Sequence, residues 1–185
     1  MYKEYILKNM EALNNLDCLE SKHENIVELI VECLKNKKKI MLVGNGGSAA
    51  DSMHIAAEFV SRFKLERNPF QAISLSSNQS IITAISNDYG YDYIFSKQIL
   101  AYGEEGDILI ALSTSGNSKN ILKAINEASI RGITTILLTG NSKVQADINV
   151  CFLSNETDII QNMYIIFLHS VCEKVERVMI NENSI

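Results

Sequence analysis

The stretch Leu112-Ser113-Thr114-Ser115-Gly116-Asn117-Ser118-Lys119 decides how this chain is read. It closes an apolar run, Ile108 to Leu112, of the length of a buried strand. It opens a helical stretch, Asn120 to Arg131, with Ile121, Leu122, Ile125 and Ala128 on one stripe. A Ser/Thr/Gly turn between a strand and a helix N-terminus offers backbone N–H groups and hydroxyls to an anion, helped by the positive end of the helix dipole. The Lys of a Walker A loop is missing from its required position, so a nucleoside triphosphate is not the implied guest. The same Ser and Asn residues would also serve as plain helix caps. A second strand–glycine loop–helix unit upstream, Gly44-Asn45-Gly46-Gly47-Ser48 after Ile40 to Val43, shifts the reading toward phosphate.

Working outward, residues 3 to 34 predict one or two amphipathic helices, with Ile26, Leu29, Ile30, Cys33 and Leu34 at helical spacing. Strands are expected at Lys39 to Val43, Gln71 to Leu75, Asp107 to Leu112, Thr134 to Thr139 and Val150 to Leu153. Helices are expected at Ser48 to Phe63, Ser80 to Ser86, Tyr93 to Tyr102, Asn120 to Arg131 and Glu156 to about Met179. Strands apolar throughout and alternating with helices imply a parallel sheet covered on both faces, an α/β three-layer sandwich. The expected organisation is a single domain over 1–185, with an N-terminal helical segment, 1–34, and an α/β core, 35–185. In open α/β sheets ligands sit at the carboxyl ends of strands, where both polar loops lie. Ser48 is positioned to N-cap the helix after the first loop.

Composition narrows the classes. At 185 residues with 46% hydrophobic residues the chain is long enough for a substantial core, and no apolar run approaches the roughly 20 residues that span a bilayer. Met1 to Tyr5 does not open a signal peptide. Cys18, Cys33, Cys151 and Cys172 lack CxxC spacing and read as reduced, mostly buried thiols of a cytoplasmic protein. The net charge is −5, and the one basic cluster, Lys35 with Lys37 to Lys39, fits a helix end. Neither nucleic acid nor membrane is an expected partner.

On the helix after the glycine loop, His54 and Glu58 are spaced i, i+4 and share a face that Arg62 continues. A surface ion-pair ladder is one reading. The apolar setting, Ile55-Ala56-Ala57 and Phe59-Val60, suggests a largely buried helix instead, where a carboxylate suits a general base. His54 and Glu58 would also fill two positions on a metal. Asn87-Asp88-Tyr89-Gly90 reads as a polar turn or as a carboxylate and an amide offered to sugar hydroxyls. Gln161 and His169 interrupt an apolar closing helix, where a lone His is more often a hydrogen-bonded core residue than a catalyst.

Taken together these motifs resemble the sugar isomerase (SIS) domain, and specifically the sedoheptulose 7-phosphate isomerase (phosphoheptose isomerase) family. The matching residues are Gly44 to Asp51, His54 to Glu58 with Arg62-Phe63, Asn87 to Gly90, Ser113 to Ser118, Gln161 and His169, in order along nearly the whole chain. The resemblance implies a flavodoxin-like fold. The implied activity is conversion of sedoheptulose 7-phosphate to D-glycero-D-manno-heptose 7-phosphate through an enediol, supplying heptose to lipopolysaccharide or capsule. It also implies a homotetramer with active sites between subunits. Carried over, Ser113, Thr114, Ser115 and Ser118 hold the phosphate, and Asn45, Gly46, Gly47 and Ser48 line the sugar. Asn87 and Asp88 lie near it, and Arg62, Asp158 and Gln161 join the substrate site. Glu58 and His169 form the acid–base pair. Some members bind zinc, one per subunit, through positions matching His54, Glu58, Gln161 and His169; no nucleotide or nicotinamide is implied. Eight helical residues separate Gln161 from His169, about 12 Å along the axis. A shared ion therefore requires both side chains to lean inward or to come from different subunits.

The chain departs from the usual pattern in having Ile159 and Asn162 where the family has Arg and Glu, and Tyr164 where His is frequent. The rival readings are a non-catalytic SIS protein that binds a partner protein, or a sugar-phosphate sensor. The presence of both Glu58 and His169 argues for the enzyme.

Overall fold

The computed structural model describes residues 1–14, 17–140, 144 and 146–182. Five strands, β1 (Ile40–Gly44), β2 (Ala72–Ser74), β3 (Ile108–Ser113), β4 (Thr134–Thr139) and β5 (Ile148–Cys151), form one parallel sheet in the order β2-β1-β3-β4-β5. Seven α-helices accompany them: α1 (Tyr2–Asn14), α2 (Glu20–Lys35), α3 (Gly47–Val60), α4 (Gln79–Tyr89), α5 (Ser96–Tyr102), α6 (Lys119–Ile130) and α7 (Thr157–Glu182). The period-2 geometry of strands splits the apolar runs between two cores. Ile40, Leu42, Ile108, Ile110 and Leu112 pack with α2, α3 and α7 on one face, and Met41, Val43, Leu109 and Ala111 pack with α5 and α6 on the other. This is the three-layer α/β sandwich the alternation implies.

The order reverses once. From β1 the chain moves outward to β2, then returns across β1 to β3, so a crevice opens beyond the carboxyl ends of β1 and β3. Gly44 and Leu112, register partners there, begin the two polar loops.

Most expected elements form, and the shifts have local causes. The N-terminal segment is two helices, joined through a 3-10 turn at Asp17–Leu19. The helix expected from Tyr93 starts only at Ser96, behind a 3-10 turn at Tyr91–Tyr93. Helix α3 stops at Val60 rather than Phe63 because the buried carboxylate of Glu176 takes the N–H groups of Phe63, Lys64 and Leu65 and draws the chain out of helical register. The edge strand β5 lies two residues earlier than expected, and Leu153 beyond it is exposed. No disulfide joins the four cysteines; burial pushes the thiols of Cys33 and Cys172 up to about 12. Among the described residues no helix is long and apolar enough to cross a membrane.

Candidate active site

The loop after β1 depends on glycine. Gly46 holds φ 57° and ψ −122°, a region that side-chain-bearing residues rarely adopt. A Cβ on Gly47 would lie 2.5 Å from Gln161 Nε2, so the bare backbone is what lets α7 come this close. Ser48, expected as the N-cap of α3, is not the cap; Gly46 occupies that place without a side-chain hydrogen bond. Ser48 instead lies buried in the first turn, where its Oγ accepts a hydrogen bond from Gln161 Nε2 at 3.4 Å.

The loop after β3 keeps its hydroxyls largely uncommitted. Ser118 stands at the N-cap of α6, yet its side chain makes no cap hydrogen bond. Ser113 Oγ is buried with no hydrogen-bond partner, and only Ser115 Oγ serves the loop itself, accepting from the Asn117 N–H at 3.2 Å. Helix capping therefore does not account for this cluster, whereas an anion at the positive end of α6 would engage it. Thr114 and Ser115 also line a recess of about 170 Å³ with Ser154, Asn155, Thr157 and Ile160. A larger open groove of about 480 Å³, between α5 and α6, holds none of the residues anticipated for the site.

Where α3 crosses α7, three groups converge. His54 Nε2 and His169 Nε2 are 2.9 Å apart, and Glu58 Oε1 lies 3.5 Å from His54 Nε2. One ligand atom from each of the three residues falls within 4.8 Å of the others. Phe63 packs on the His169 ring at 5.2 Å between centroids. Burial, then the neighbouring His54, hold the His169 pKa below its ordinary value, with Glu58 pulling the other way; the imidazole is accordingly neutral at neutral pH. Helix α3 is buried along one stripe only (Ser52, Ile55, Ala56, Phe59), so His54 stands half exposed, not within a wholly buried helix.

The remaining anticipated residues are more dispersed within the chain. Arg62 points to Glu66 at 3.6 Å. Asn87 and Asp88 are exposed at the end of α4, the amide of Asn87 donating to Asp88 Oδ1 at 2.9 Å. Asp158 is exposed in the first turn of α7. Gln161 sits against Gly47 and Ser48, a distance along α7 from His169. Asn162, in place of the usual Glu, ties α7 to α1 through Tyr5 Oη and Asn9 Oδ1 at 2.9 and 2.8 Å, while Ile159 is buried in the core.

Several neighbours of the site have no role in the sequence reading. Asp51, one turn before His54, keeps a buried Oδ2 without a partner, and burial pushes its pKa up. Its i, i+3, i+7 spacing with His54 and Glu58 was the available signal. Tyr164 is fully buried beneath the Ser113 loop with its hydroxyl unpartnered. Tyr91 and Asn120 bond to Asn45 across the crevice, which no local pattern announces.

The chain is thus an α/β sandwich with a hydroxyl-rich loop at the switch point of its sheet and a carboxylate–imidazole cluster where α3 meets α7. The SIS domain family model matches residues 2–140. A phosphoheptose isomerase of Helicobacter pylori (strain Shi470) is 43% identical over 99% of this chain and 98% of its own length. One from Clostridium acetobutylicum is 44% identical over 97% and 90%. Among solved structures, the phosphoheptose isomerase of Francisella tularensis aligns with a TM-score of 0.90 at 31% identity, covering 95% of this chain and 96% of that one. That of Neisseria gonorrhoeae aligns at 0.86 and 34%, covering 95% and 97%. The chain belongs to the phosphoheptose isomerase family of SIS-domain proteins.

Proposed function

We propose that this chain isomerises sedoheptulose 7-phosphate to D-glycero-D-manno-heptose 7-phosphate, with Glu58 and His169 as the acid–base pair. The observation that carries the assignment of these two residues is their convergence with His54, from helices more than 100 positions apart in sequence. Ketose–aldose exchange removes a proton from C1 while the C1–H electron pair forms the C1=C2 bond and O2 takes a proton. The reverse flow then forms C1=O as the O1 proton leaves and C2 is protonated. It needs one group that removes a carbon-bound proton and another that moves protons at the oxygens. A carboxylate and a neutral imidazole side by side meet both needs. Ser113, Thr114, Ser115 and Ser118 would hold the phosphate, with the N-terminus of α6 behind them. Asn45, Gly46, Gly47, Ser48 and Gln161 would line the sugar, with Asn87, Asp88, Arg62 and Asp158 further out.

The donor set also fits a zinc ion, one per subunit: the two imidazole nitrogens of His54 and His169 and the Glu58 carboxylate oxygen converge, whereas Gln161, held against Gly47 and Ser48, would complete the set only by leaning inward or from a neighbouring subunit. When bound, such an ion supplies Lewis-acid polarisation of the substrate oxygens. A homotetramer is the assembly we favour. On α1, Tyr2, Leu7 and Met10 are more than half exposed although apolar, as expected of a surface covered by another copy. We place the reaction in the cytoplasm, feeding heptose to lipopolysaccharide or capsule. The test is incubation of purified protein with sedoheptulose 7-phosphate, followed by NMR. Appearance of the aldose supports the reading; binding without conversion favours a non-catalytic sugar-phosphate protein.

A further inference from the structure

The crevice between the two polar loops is bridged by a reciprocal amide pair. Asn45 Nδ2 donates to Asn120 Oδ1 at 2.9 Å, and Asn120 Nδ2 donates to Asn45 Oδ1 at 2.8 Å. Two further bonds fix the pair from outside. Tyr91 Oη donates to Asn45 Oδ1 at 2.9 Å, and the Ile121 N–H donates to Asn120 Oδ1 at 2.9 Å. Asn120 is buried, on the second residue of α6, so the pair works in a shielded setting where a lost partner is costly.

The bond from Ile121 has a consequence for the anion loop. An N-cap side chain ordinarily accepts the N–H of the second or third helical residue. Here Ile121 is that third residue, and Asn120 has taken its N–H. Asn120, and not Ser118 at the cap, satisfies that N–H, and the Ser118 side chain makes no cap hydrogen bond. The partner amide, meanwhile, is anchored in the glycine loop between Gly44 and Gly46, and its Oδ1 accepts from both Tyr91 and Asn120.

We infer that Asn120 is a positioning residue that sets the spacing between the sugar-lining loop and the phosphate loop and releases the Ser118 hydroxyl to the phosphate. The inference rests on the functional reading above and adds a residue to it that touches no substrate. A phosphate fixed at one end of a seven-carbon chain and a carbonyl to be held near Glu58 at the other make that spacing matter, because misplacement by about 1 Å can cost 10²-fold in rate.

Two measurements test it. In kinetics, Asn45→Ala and Asn120→Ala should each lower kcat/KM by about 10- to 100-fold. Because both break the same pair, the double variant should fall within about threefold of the worse single one. Multiplying effects, or wild-type turnover per folded molecule in either single variant, would overturn the inference. The second measurement needs no turnover: calorimetric titration with inorganic phosphate. Asn120→Ala should weaken phosphate binding at least about fivefold, and adding Ser118→Ala should weaken it little further, as expected of coupled sites. Wild-type phosphate affinity in Asn120→Ala, or no binding by the wild-type chain, would overturn it. If Asn120→Ala does not fold, Asn45→Ala, which keeps the Asn120–Ile121 bond, should retain phosphate affinity within about twofold of the wild type while kcat/KM falls. Loss of phosphate affinity in folded Asn45→Ala would contradict the separation of the capping bond from the bridge. A wild-type protein that binds phosphate but does not convert the sugar phosphate would sink the isomerase reading and leave the phosphate result to decide this one.

Discussion

At the carboxyl end of α3, Glu176 accepts the N–H groups of Phe63, Lys64 and Leu65, and Arg67 donates to Glu176 and to the carbonyls of Glu58, Phe59, Ser61 and Asn68. Along the amino-terminal and middle turns of the same helix, Asp51 keeps a buried oxygen without a partner. His54 stands half exposed against His169 and Glu58. Both regions join α3 to α7 with charged groups, but only the first is closed upon itself. A satisfied polar network spends its hydrogen-bonding capacity on the fold; an unsatisfied one retains capacity for a ligand. The difference separates the residues that hold the helix pair together from those that use it. The two are connected, since Arg67 grips the Glu58 carbonyl at 2.8 Å and Phe63 packs on His169.

The comparison breaks most easily at its open end. His169→Asn, which keeps much of the size and polarity, should lower kcat by about 10²–10⁴ while leaving thermal melting near that of the wild type. A folded variant with unchanged kcat would move His169 to the structural side. At the closed end, Glu176→Ala leaves Arg67 buried without its partner and should cost about 3–5 kcal/mol in urea unfolding, with turnover per folded molecule retained to the extent that α3 stays in place. Stability within about 0.5 kcal/mol of wild type would show that the network is not closed.

The same end predicts a pH dependence. Burial would raise the Glu176 pKa, but the N–H groups of Lys64, Phe63 and Leu65, together with Arg67, outweigh it and hold the carboxylate below its ordinary 4.5. A group depressed on folding stabilises fully above its unfolded pKa and loses that contribution as the pH falls through the folded value. The wild type should therefore lose stability below about pH 4.5 more steeply than Glu176→Gln, as followed by unfolding at a series of pH values. Parallel curves would remove Glu176 from the account. In the phosphate loop, Ser115→Ala should raise KM by about tenfold with little change in kcat, because phosphate contacts persist from ground state to transition state. An unchanged KM would place the phosphate elsewhere. The smallest expected effect is Asn162→Ala, about 1 kcal/mol from the lost bonds to α1.

What the sequence made legible follows from range. The run Ile108 to Leu112 and its polar turn announced β3 and α6 through local periodicity, and β4 has the expected bounds, Thr134–Thr139. The end of α3 was missed because a carboxylate more than 100 residues away terminates it. His54 and Glu58 share a helix face by spacing alone, but nothing local brings His169 to them; the family resemblance did that. The Asn45–Asn120 pair, 75 residues apart, has no local signature either. Ser48 was assigned as a cap on a sound statistical preference, and the tight turn at Gly46 with the approach of Gln161 overrode it.

The central claim is that the open cluster on α3 and α7 moves protons on the sugar. It is tested most directly by running the wild type and Glu58→Gln with sedoheptulose 7-phosphate in deuterium oxide and reading C2 of the aldose by NMR. Proton exchange through an enediol predicts deuterium at C2 with the wild type, and product formation slowed by about 10²–10⁴ in the folded variant. Wild-type rates in folded Glu58→Gln would contradict it.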